Sequence, residues 1–444
     1  MPAHSIKHRM ERQNMDPVII DTDRLREIYG DDPKVTAYQE ERIRRAFKGY
    51  HEHFGDAADL HVFSAAGRSE IGGNHTDHQR GQVLAASLNI DSLAAASAVN
   101  ENKITLYSEG YKTFTVDLSS LEPDPAETGS TTALIRGVAA GFAKKGFKIG
   151  GFNAYVTSDV LGGSGLSSSA SFESLIGMIL SGLYNGGNIS TVDIAKIGQY
   201  SENNYLGKPC GLMDQMACSV GGFVHIDFLK TGDIDEFLDD SYPKIERIDF
   251  DPAAYGYTLV ITDTKASHED LTDEYAAIPG EMKKVAGFFG KEVLTQVSED
   301  EFIKNIPAIR DHAGDRAVVR AIHFFWENKR VADEASALKA GDFDGFLSCF
   351  AASARSSFKY LQNIHPSGSS DEQSMAVALA VSDIVLRTPL YGAARVHGGG
   401  FAGTIQAFVK TEHAESYIQA MDALLGEGSA KVYTIRKYGC VQIM

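Results

Sequence analysis

The 444-residue chain has few cysteines, and none of them forms a CxxC pair. The four cysteines, Cys210, Cys218, Cys349 and Cys440, are at least eight positions apart, and we interpret them as reduced, mostly buried side chains. The N-terminal stretch MPAHSIKHRMERQNMDP lacks the apolar core of a signal peptide, and no window approaches the roughly twenty apolar residues of a membrane span. These absences predict a soluble, cytoplasmic protein without a membrane partner.

Positive charge is also scarce. The chain has 42 Lys and Arg residues against 59 Asp and Glu residues, a net charge of −17. Such a balance argues against a nucleic-acid partner, because phosphate backbones attract positive surfaces. A small anionic ligand is still compatible, since a local cluster of backbone N–H groups can bind one. With 43% hydrophobic residues, a chain of this length is expected to fold throughout, in two domains.

Helix-like and strand-like segments interleave at both ends of the chain, and the part between about 269 and 389 is mainly helical. Strands are predicted at 59–65, 91–99, 104–108, 114–118, 152–160, 222–228, 256–264, 404–410 and 430–437, and helices at 35–55, 131–146, 171–184, 190–204 and 412–425. This pattern predicts an α+β or mixed α/β fold. The acidic, turn-rich stretch LKTGDIDEFLDDSYPK indicates a boundary near 225–245, and we divide the chain into domains 1–228 and 229–444.

A loop of glycine and serine, GGSGLSSSA at 162–170, lies between a predicted strand and a predicted helix. Glycines allow backbone N–H groups to converge, and the first turn of a helix leaves its N–H groups unpaired and partly positive. This combination is typical of a phosphate site, but a serine-capped helix start explains the stretch equally well. The loop is neither a Walker A sequence nor a GxGxxG fingerprint.

Three further stretches combine glycine with reactive side chains. AAGRSEIGGNHTDHQRGQVLAAS, at 65–87, could be a metal site through its HTDH, but its short donors and acceptors suit a sugar better. RVHGGGFAGT, at 395–404, is either a tight turn or a backbone that approaches a ligand closely. GKPCGLMDQMACSVGG, at 207–222, holds Asp214 between apolar residues, which favours a functional acid over a helix-surface charge.

These four stretches, in this order, resemble the GHMP family of small-molecule kinases and, within it, the galactokinases. LGGSGLSSSASFE resembles the phosphate-binding motif, GRSEIGGNHTDHQRGQVL the galactokinase signature, GKPCGLMDQ the segment of the catalytic aspartate, and RVHGGGFAGT the C-terminal motif. The resemblance spans about residues 65–404. It implies a two-domain fold with the active site in the cleft between the domains. The implied reaction is the ATP- and Mg²⁺-dependent phosphorylation of galactose at its anomeric hydroxyl.

The resemblance also implies a role for each matching residue. Asp214 would lie by the anomeric hydroxyl as a base or orienting acceptor, and Arg68 would keep it ionised and neutralise charge on the phosphoryl group. Ser169 and Glu202, which precedes Asp214 by twelve residues, would bind Mg²⁺. The sugar would be held by Arg68, Asn74, His75, Asp77, Gly211, Asp214 and Tyr275, and ATP by Gly162, Gly163, Ser164, Gly165, Leu166, Ser167, Ser168, Ser169 and Ala170. A monomer is expected.

Several positions depart from the galactokinase pattern. Asn74 replaces the glutamate that is expected to meet the hydroxyl at sugar C6, and Glu70 replaces an asparagine. His78 follows HTD where a tyrosine is usual, as in plant galacturonate kinases. A kinase for galacturonate or another galactose-like sugar is therefore an alternative. A non-catalytic sensor of galactose and ATP, and a metal-dependent hydrolase built on HTDH, are alternatives from other classes.

Overall fold

The computed structural model describes residues 19–57, 59–160, 165–208, 210–230, 234–266, 271–368 and 370–444. Twelve strands in these ranges form two sheets. They are β1 (His61–Gly72), β2 (Gln82–Ala98), β3 (Lys103–Ser108), β4 (Phe114–Asp117), β5 (Phe152–Ser158), β6 (Phe223–Asp227), β7 (Lys244–Ile248), β8 (Tyr257–Asp263), β9 (Gly392–Val396), β10 (Thr404–Lys410), β11 (Ala430–Tyr433) and β12 (Cys440–Gln442).

The same ranges contain twelve α-helices. They are α1 (Thr22–Tyr29), α2 (Pro33–Phe54), α3 (Thr131–Lys144), α4 (Ser168–Asn185), α5 (Thr191–Ser201), α6 (Met213–Val220), α7 (Thr272–Phe288), α8 (Glu299–Ala313), α9 (Asp315–Ala340), α10 (Phe343–Ser356), α11 (Ser374–Leu386) and α12 (Ala414–Leu425). None of these helices combines the length and apolar character needed to cross a membrane.

The first sheet has eight strands and is covered by helices on both faces. Its main path runs β12-β1-β2-β5-β3-β4, β6 pairs with the first part of β2, and β7 pairs with β6. All its pairings are antiparallel except that of β3 with β5. Neighbouring side chains of a strand point to opposite faces, so Phe63 packs with α3, α4 and α5 whereas Val62 packs with α1 and α2. Burial on both faces explains why β1 is buried along almost its whole length.

The second sheet, ordered β11-β8-β10-β9, packs against the first through a shared apolar core. Ile71 and Leu84 of the first sheet meet Leu259 and Phe408 of the second, together with residues of α9 and α10. Polar contacts reinforce the junction next to this core, where Ser69 Oγ donates to Gln406 Oε1 at 2.7 Å. The part of β1 that follows Arg68 is therefore held against the second sheet.

The predicted mixture of helices and strands is confirmed, but β7, β9 and β12 form where no strand was predicted, and β2 begins earlier than predicted. β2 begins at Gln82, nine residues before the predicted strand, because pairing with β1 and β6 satisfies the backbone of its mainly apolar, buried first part. β7 begins at Lys244, the last residue of the stretch that we interpreted as a domain boundary, because it pairs with β6. The division at residue 228 stays a prediction, although β7, which follows it, belongs to the first sheet.

Candidate active site

Arg68 and Asp214 form a two-pronged ion pair near the junction of the sheets. Arg68 lies on β1 and Asp214 in the first turn of α6. The Arg68 Nε atom is 2.7 Å from Asp214 Oδ1, and Nη2 is 3.1 Å from Oδ2. Burial opposes the ionisation of Asp214, but the charge of Arg68 and the hydrogen bonds outweigh it and hold the pKa of Asp214 below its usual value. Asp214 is therefore a carboxylate at neutral pH.

The start of α4 is tied directly to this pair. Ser167, immediately before the helix, has a left-handed backbone with φ of 60°, and its hydroxyl donates to Asp214 Oδ2 at 2.5 Å. Arg68 Nη1 donates to the Gly165 carbonyl at 2.6 Å. Ser168, Ser169 and Ala170 lie in the first turn of α4, where backbone N–H groups have no partner within the helix. The positive end of the helix dipole therefore lies beside Asp214.

Of the nine residues predicted to bind ATP, the structure brings the last six, Gly165 to Ala170, to this helix start. Gly162, Gly163 and Ser164 lie outside the described residues. Gly165 has a φ of +73°, and a Cβ atom there would be 2.9 Å from Thr404 Oγ1, so a larger residue would press on the second sheet. The loop is thus closely fitted against RVHGGGFAGT, at least from Gly165 onward.

A cavity of about 310 Å³ opens beside the ion pair. It is lined by Arg68, Glu70, His75, Asp77, His78, Lys208, Cys210, Gly211, Met213, Asp214, Tyr275, Gly398 and Gly399. Six of the seven residues predicted to hold the sugar are in this set. We call this space the sugar cavity.

Asp77 and Gly211 touch at the wall of the sugar cavity. A Cβ atom at Gly211 would lie 2.0 Å from Asp77 Oδ2, so the carboxylate occupies the space that glycine leaves free. The other oxygen, Oδ1, accepts the backbone N–H of His78 at 2.9 Å. Glycine at 211 is therefore a steric requirement for the present position of Asp77.

His75 is held as a neutral ring. Its Nε2 atom is 2.9 Å from the Gly399 carbonyl, which can only accept a hydrogen bond, so Nε2 carries the proton. Burial, together with the charge of His78, lowers the pKa of His75 to about 3. The Nδ1 atom is consequently an acceptor, suited to a hydroxyl group.

Asn74 is the one predicted sugar ligand that the structure does not place on the cavity wall. Its side chain is fully buried. Its Nδ2 donates to Glu70 at 2.9 Å and to the Gly398 carbonyl at 2.7 Å, while its Oδ1 accepts from Asn363 at 2.7 Å. The prediction differs from the structure because these three partners already use its hydrogen-bonding groups. Asn74 instead supports the glycine-rich turn at 398–400.

Tyr275 lies against the same turn. Its hydroxyl donates to the Gly400 carbonyl at 2.9 Å, and its ring would be 2.7 Å from a Cβ atom at Gly399. The glycines of RVHGGGFAGT thus let the backbone approach Tyr275, and they contribute two residues, Gly398 and Gly399, to the cavity wall. The motif therefore forms a tight turn that approaches Tyr275 closely, and its close approach to a ligand stays a prediction.

Two charged residues of the cavity have no predicted role. Glu70 is buried, and although Arg395 lies 3.2 Å away, burial raises the pKa of Glu70 to about 7. Lys208 is the other, with Nζ 3.8 Å from Glu202 Oε1. The signal for Lys208 is its place in GKPCG, between the predicted metal ligand and Asp214. The signal for Glu70 is its two-residue spacing from Arg68, which puts both side chains on one face of a strand.

The residues predicted to bind Mg²⁺ are compatible with that ion. Glu202 is buried, and its Oε1 atom has no hydrogen-bond partner among the described residues. Glu173 lies close by, since Gln215 Nε2 reaches both carboxylates at 3.2 and 3.3 Å. Burial and the charge of Glu202 raise the pKa of Glu173 well above its usual value. A carboxylate oxygen without a hydrogen bond, beside a second carboxyl group, is the donor type that Mg²⁺ prefers.

No group of three or more His, Cys, Asp and Glu side chains able to hold a metal occurs within the described ranges.

Comparisons with known proteins agree with this arrangement. The model of the GHMP kinases N terminal domain matches residues 133–222, and the galactokinase galactose-binding signature matches residues 48–98. A galactokinase from Glaesserella parasuis is 30% identical over 374 residues, covering 83% of this chain and 89% of that protein. A galactokinase from Lacticaseibacillus casei is 29% identical over 378 residues, covering 84% and 90%.

Solved structures show the same fold. A Lactococcus lactis galactokinase complexed with galactose has a TM-score of 0.75 at 23% identity, covering 90% of this chain and all of that one. A mevalonate kinase has a TM-score of 0.58 at 14% identity, covering 85% and 99%. Fold and site together define a kinase of the GHMP class. Within that class, the chain belongs to the galactokinase family. The prediction of a sugar kinase from the four motifs is confirmed at this level.

Proposed function

We propose that this protein transfers the terminal phosphoryl group of ATP to the anomeric hydroxyl of galactose. One observation carries the proposal. The Asp214 carboxylate is held by Arg68 and Ser167 at the point where the sugar cavity meets the start of α4. A helix start attracts phosphate, and a cavity of about 310 Å³ lined with polar groups suits a monosaccharide. The curated relatives named above are galactokinases.

In the proposed step, the anomeric hydroxyl donates its hydrogen bond to Asp214. The hydroxyl oxygen bonds to the γ-phosphorus as the bond to the bridging oxygen of ADP breaks, and the hydroxyl proton passes to Asp214. Arg68 remains charged and stabilises the negative charge on the transferring group. Such a reaction demands positioning and electrostatics more than covalent chemistry. Arg68 provides the positioning, because its bidentate contact fixes the direction of the Asp214 carboxylate. It also provides the electrostatic stabilisation through its positive charge.

The remaining cavity residues hold the ring of the sugar. Asp77 accepts from hydroxyl groups, neutral His75 accepts at Nδ1, and the Gly211 backbone and Tyr275 complete the wall. Asn74 does not contact the sugar itself but positions Glu70 and the glycine-rich turn through hydrogen bonds. The backbone N–H groups from Gly165 to Ala170 bind the phosphates, together with Gly162, Gly163 and Ser164.

Mg²⁺, when bound with ATP, neutralises charge on the β- and γ-phosphates. Glu202 would hold it through Oε1, which has no hydrogen-bond partner among the described residues, and Ser169 through its hydroxyl in the first turn of α4. The active protein is proposed to be a cytoplasmic monomer, with its cleft between domains 1–228 and 229–444.

Galactose is favoured over galacturonate because the sugar cavity retains acidic groups. Asn74 removes one expected carboxylate, but Glu70 and Asp77 both line the cavity. A carboxylate at sugar C6 would be repelled by the Asp77 carboxylate and by the ionised fraction of Glu70. The neutral sugar avoids that repulsion and can donate hydrogen bonds to both groups.

The test is a panel of galactose, galacturonate, glucose and mannose with MgATP. ADP release gives kcat/KM for each sugar, and phosphorus NMR identifies the phosphorylated carbon. We expect galactose to have the highest kcat/KM and to give galactose 1-phosphate. A higher value for galacturonate would overturn the substrate assignment. Binding of galactose and ATP with no turnover would instead indicate a sensor.

A further inference from the structure

A second cavity adjoins the sugar cavity. Its volume is about 550 Å³, larger than the 310 Å³ of the sugar cavity. The two share four wall residues: Asp77, His78, Cys210 and Gly211. Neither Arg68 nor Asp214 lines the second cavity. It therefore extends the sugar cavity at the Asp77 and Gly211 end and leaves the phosphoryl-transfer end unchanged.

Buried apolar and aromatic side chains form part of the otherwise polar wall of the second cavity. Phe228 and Tyr242 are each less than 10% exposed, and both line it, as does buried Leu212. Burial and the negative charge of Glu236 raise the pKa of Tyr242, so its hydroxyl keeps its proton and can donate a hydrogen bond. Aromatic rings beside donors and acceptors suit the C–H faces and hydroxyl edges of a sugar.

The charges around this cavity disfavour an anionic occupant. Arg80 lies 3.4 Å from Glu236 and 3.9 Å from Glu292, so two carboxylates already neutralise it. Asp77 adds a further negative charge on the shared wall. Lys283 also lines the cavity, so three carboxylates face two cations, and the wall carries a small net negative charge that a phosphate or carboxylate would increase. A neutral group rich in hydroxyls can use donors and acceptors of both kinds.

We propose that the second cavity is a subsite for a second sugar unit, and that the protein also phosphorylates disaccharides whose reducing-end unit is galactose. The reducing-end anomeric hydroxyl would face Asp214, while the glycosyl substituent, on a carbon other than C1, would extend past Asp77 and Gly211. The step is the one described above, with the same transfer of phosphoryl group and proton. This inference rests on the proposed function.

The test compares galactose with three disaccharides, galactosyl-(1→3)-, (1→4)- and (1→6)-galactose. Each is titrated into the full-length protein by calorimetry, and ADP release is measured with MgATP. We expect one linkage to be turned over with kcat/KM within about ten-fold of the value for galactose. A ten-fold range corresponds to about 1.4 kcal/mol, so contacts of the second sugar unit should offset its cost to within that amount. The linkage identifies the carbon that faces the second cavity.

Two variants separate a subsite from an incidental cavity. Tyr242→Phe removes only the hydroxyl, and Glu292→Trp fills the cavity from a side chain that is 79% exposed. In both we expect the ratio of disaccharide to galactose kcat/KM to fall several-fold, with the larger effect in E292W. The control is Glu412→Trp, an equally exposed position on the far connection after β10, which should leave the ratio unchanged.

Turnover of galactose without binding or turnover of any disaccharide would overturn the subsite and leave the proposed function intact. The same holds if a disaccharide is turned over but its ratio is unaffected in both cavity variants. Disaccharide binding that depends on Tyr242, with no turnover of any sugar, would support the subsite and overturn the proposed kinase activity.

Discussion

Replacing Asp214 with asparagine tests the centre of the proposed mechanism. The change keeps the shape of the side chain but removes the charge that accepts the hydroxyl proton. A positioned base contributes about 10²- to 10⁴-fold to a rate, which corresponds to roughly 3–5 kcal/mol of activation free energy. We expect kcat to fall by about this factor. ATP binding should change much less than kcat: the contact of Ser167 with Asp214 is weakened, but Arg68 Nη1 still donates to the Gly165 carbonyl, and the N–H groups at the start of α4 remain available to phosphate.

The same substitution should lower stability moderately. Arg68 is only 8% exposed, and its two contacts with Asp214 would become one at most. Breaking a fully buried pair costs about 3–5 kcal/mol, but the Asp214 side chain is 36% exposed, and water can screen the remaining charge. We therefore expect a decrease of about 1–3 kcal/mol in the free energy of unfolding, and a folded variant at 25 °C.

The assay is ADP release under saturating galactose, with nucleotide affinity from a fluorescent ATP analogue and stability from urea unfolding. Asp193→Asn is the matched control. It breaks a 2.7 Å pair with Lys145 that is also partly buried, but it lies on α5, outside the sugar cavity. It should lose stability and keep kcat. Near-normal turnover by D214N would refute the role of Asp214, whatever its stability.

Three further substitutions test separate parts of the site. Gly211→Ala places a Cβ atom 2.0 Å from Asp77 Oδ2, so the carboxylate must turn away. The KM for galactose should then rise about ten-fold, because roughly one hydrogen bond between the sugar and a charged group is lost. Glu202→Gln should weaken the affinity of the ATP complex for Mn²⁺ by about ten-fold or more, because mutation of residues that merely hydrogen-bond to metal ligands already has an effect of this size. Mn²⁺ binding is measured by electron paramagnetic resonance. His75→Gln tests pH dependence by urea unfolding. Folded His75 stays neutral to about pH 3, whereas the unfolded ring gains a proton below about 6.5, so stability falls as pH decreases through this window. By pH 5 this amounts to about 2 kcal/mol, a loss that H75Q should not show.

Each of these predictions has an outcome that contradicts it. Gly280→Ala, in α7 with no atom within 4 Å of the added carbon, is the control for Gly211, and equal effects of the two would remove the Asp77 contact as the cause. Unchanged Mn²⁺ affinity in E202Q would move the metal to other ligands. An H75Q protein that loses as much stability at pH 5 as the parent would show that another group carries the pH dependence.

Much of the site could be predicted from the sequence because its residues stand close together in motifs. Arg68, His75 and Asp77 lie within ten positions, and Asp214 and Gly211 within four. The packing of α6 beside β1 brings the two groups together, and no local sequence pattern indicates that Arg68 and Asp214 are in contact. The contact of Ser167 with Asp214 was missed for the same reason. A serine before a helix is typical of a cap, whereas this one makes no capping bond and reaches across to another helix.

The second cavity could not be predicted either. Its wall combines residues from the first 3₁₀ turn after β1, from the segment before α6, and from the chain around β6 and β7. The stretch that supplies Glu236 and Tyr242 is acidic and rich in turns, and composition alone indicates a linker there. Only the pairing of β7 with β6 returns this stretch to the edge of the sugar cavity.

Two of the departures from the galactokinase signature, Glu70 and Asn74, are best understood as one exchange. The family pattern has asparagine at the first position and glutamate at the second, and this chain has the reverse. In the structure the two side chains touch, with Asn74 Nδ2 donating to Glu70 Oε1 at 2.9 Å. A carboxylate–amide pair is thus retained, but its acidic member now lines the sugar cavity from β1, while the amide is buried against the glycine-rich turn. Substitutions that look like the loss of a sugar ligand when taken singly therefore keep a carboxyl group on the wall of the sugar cavity.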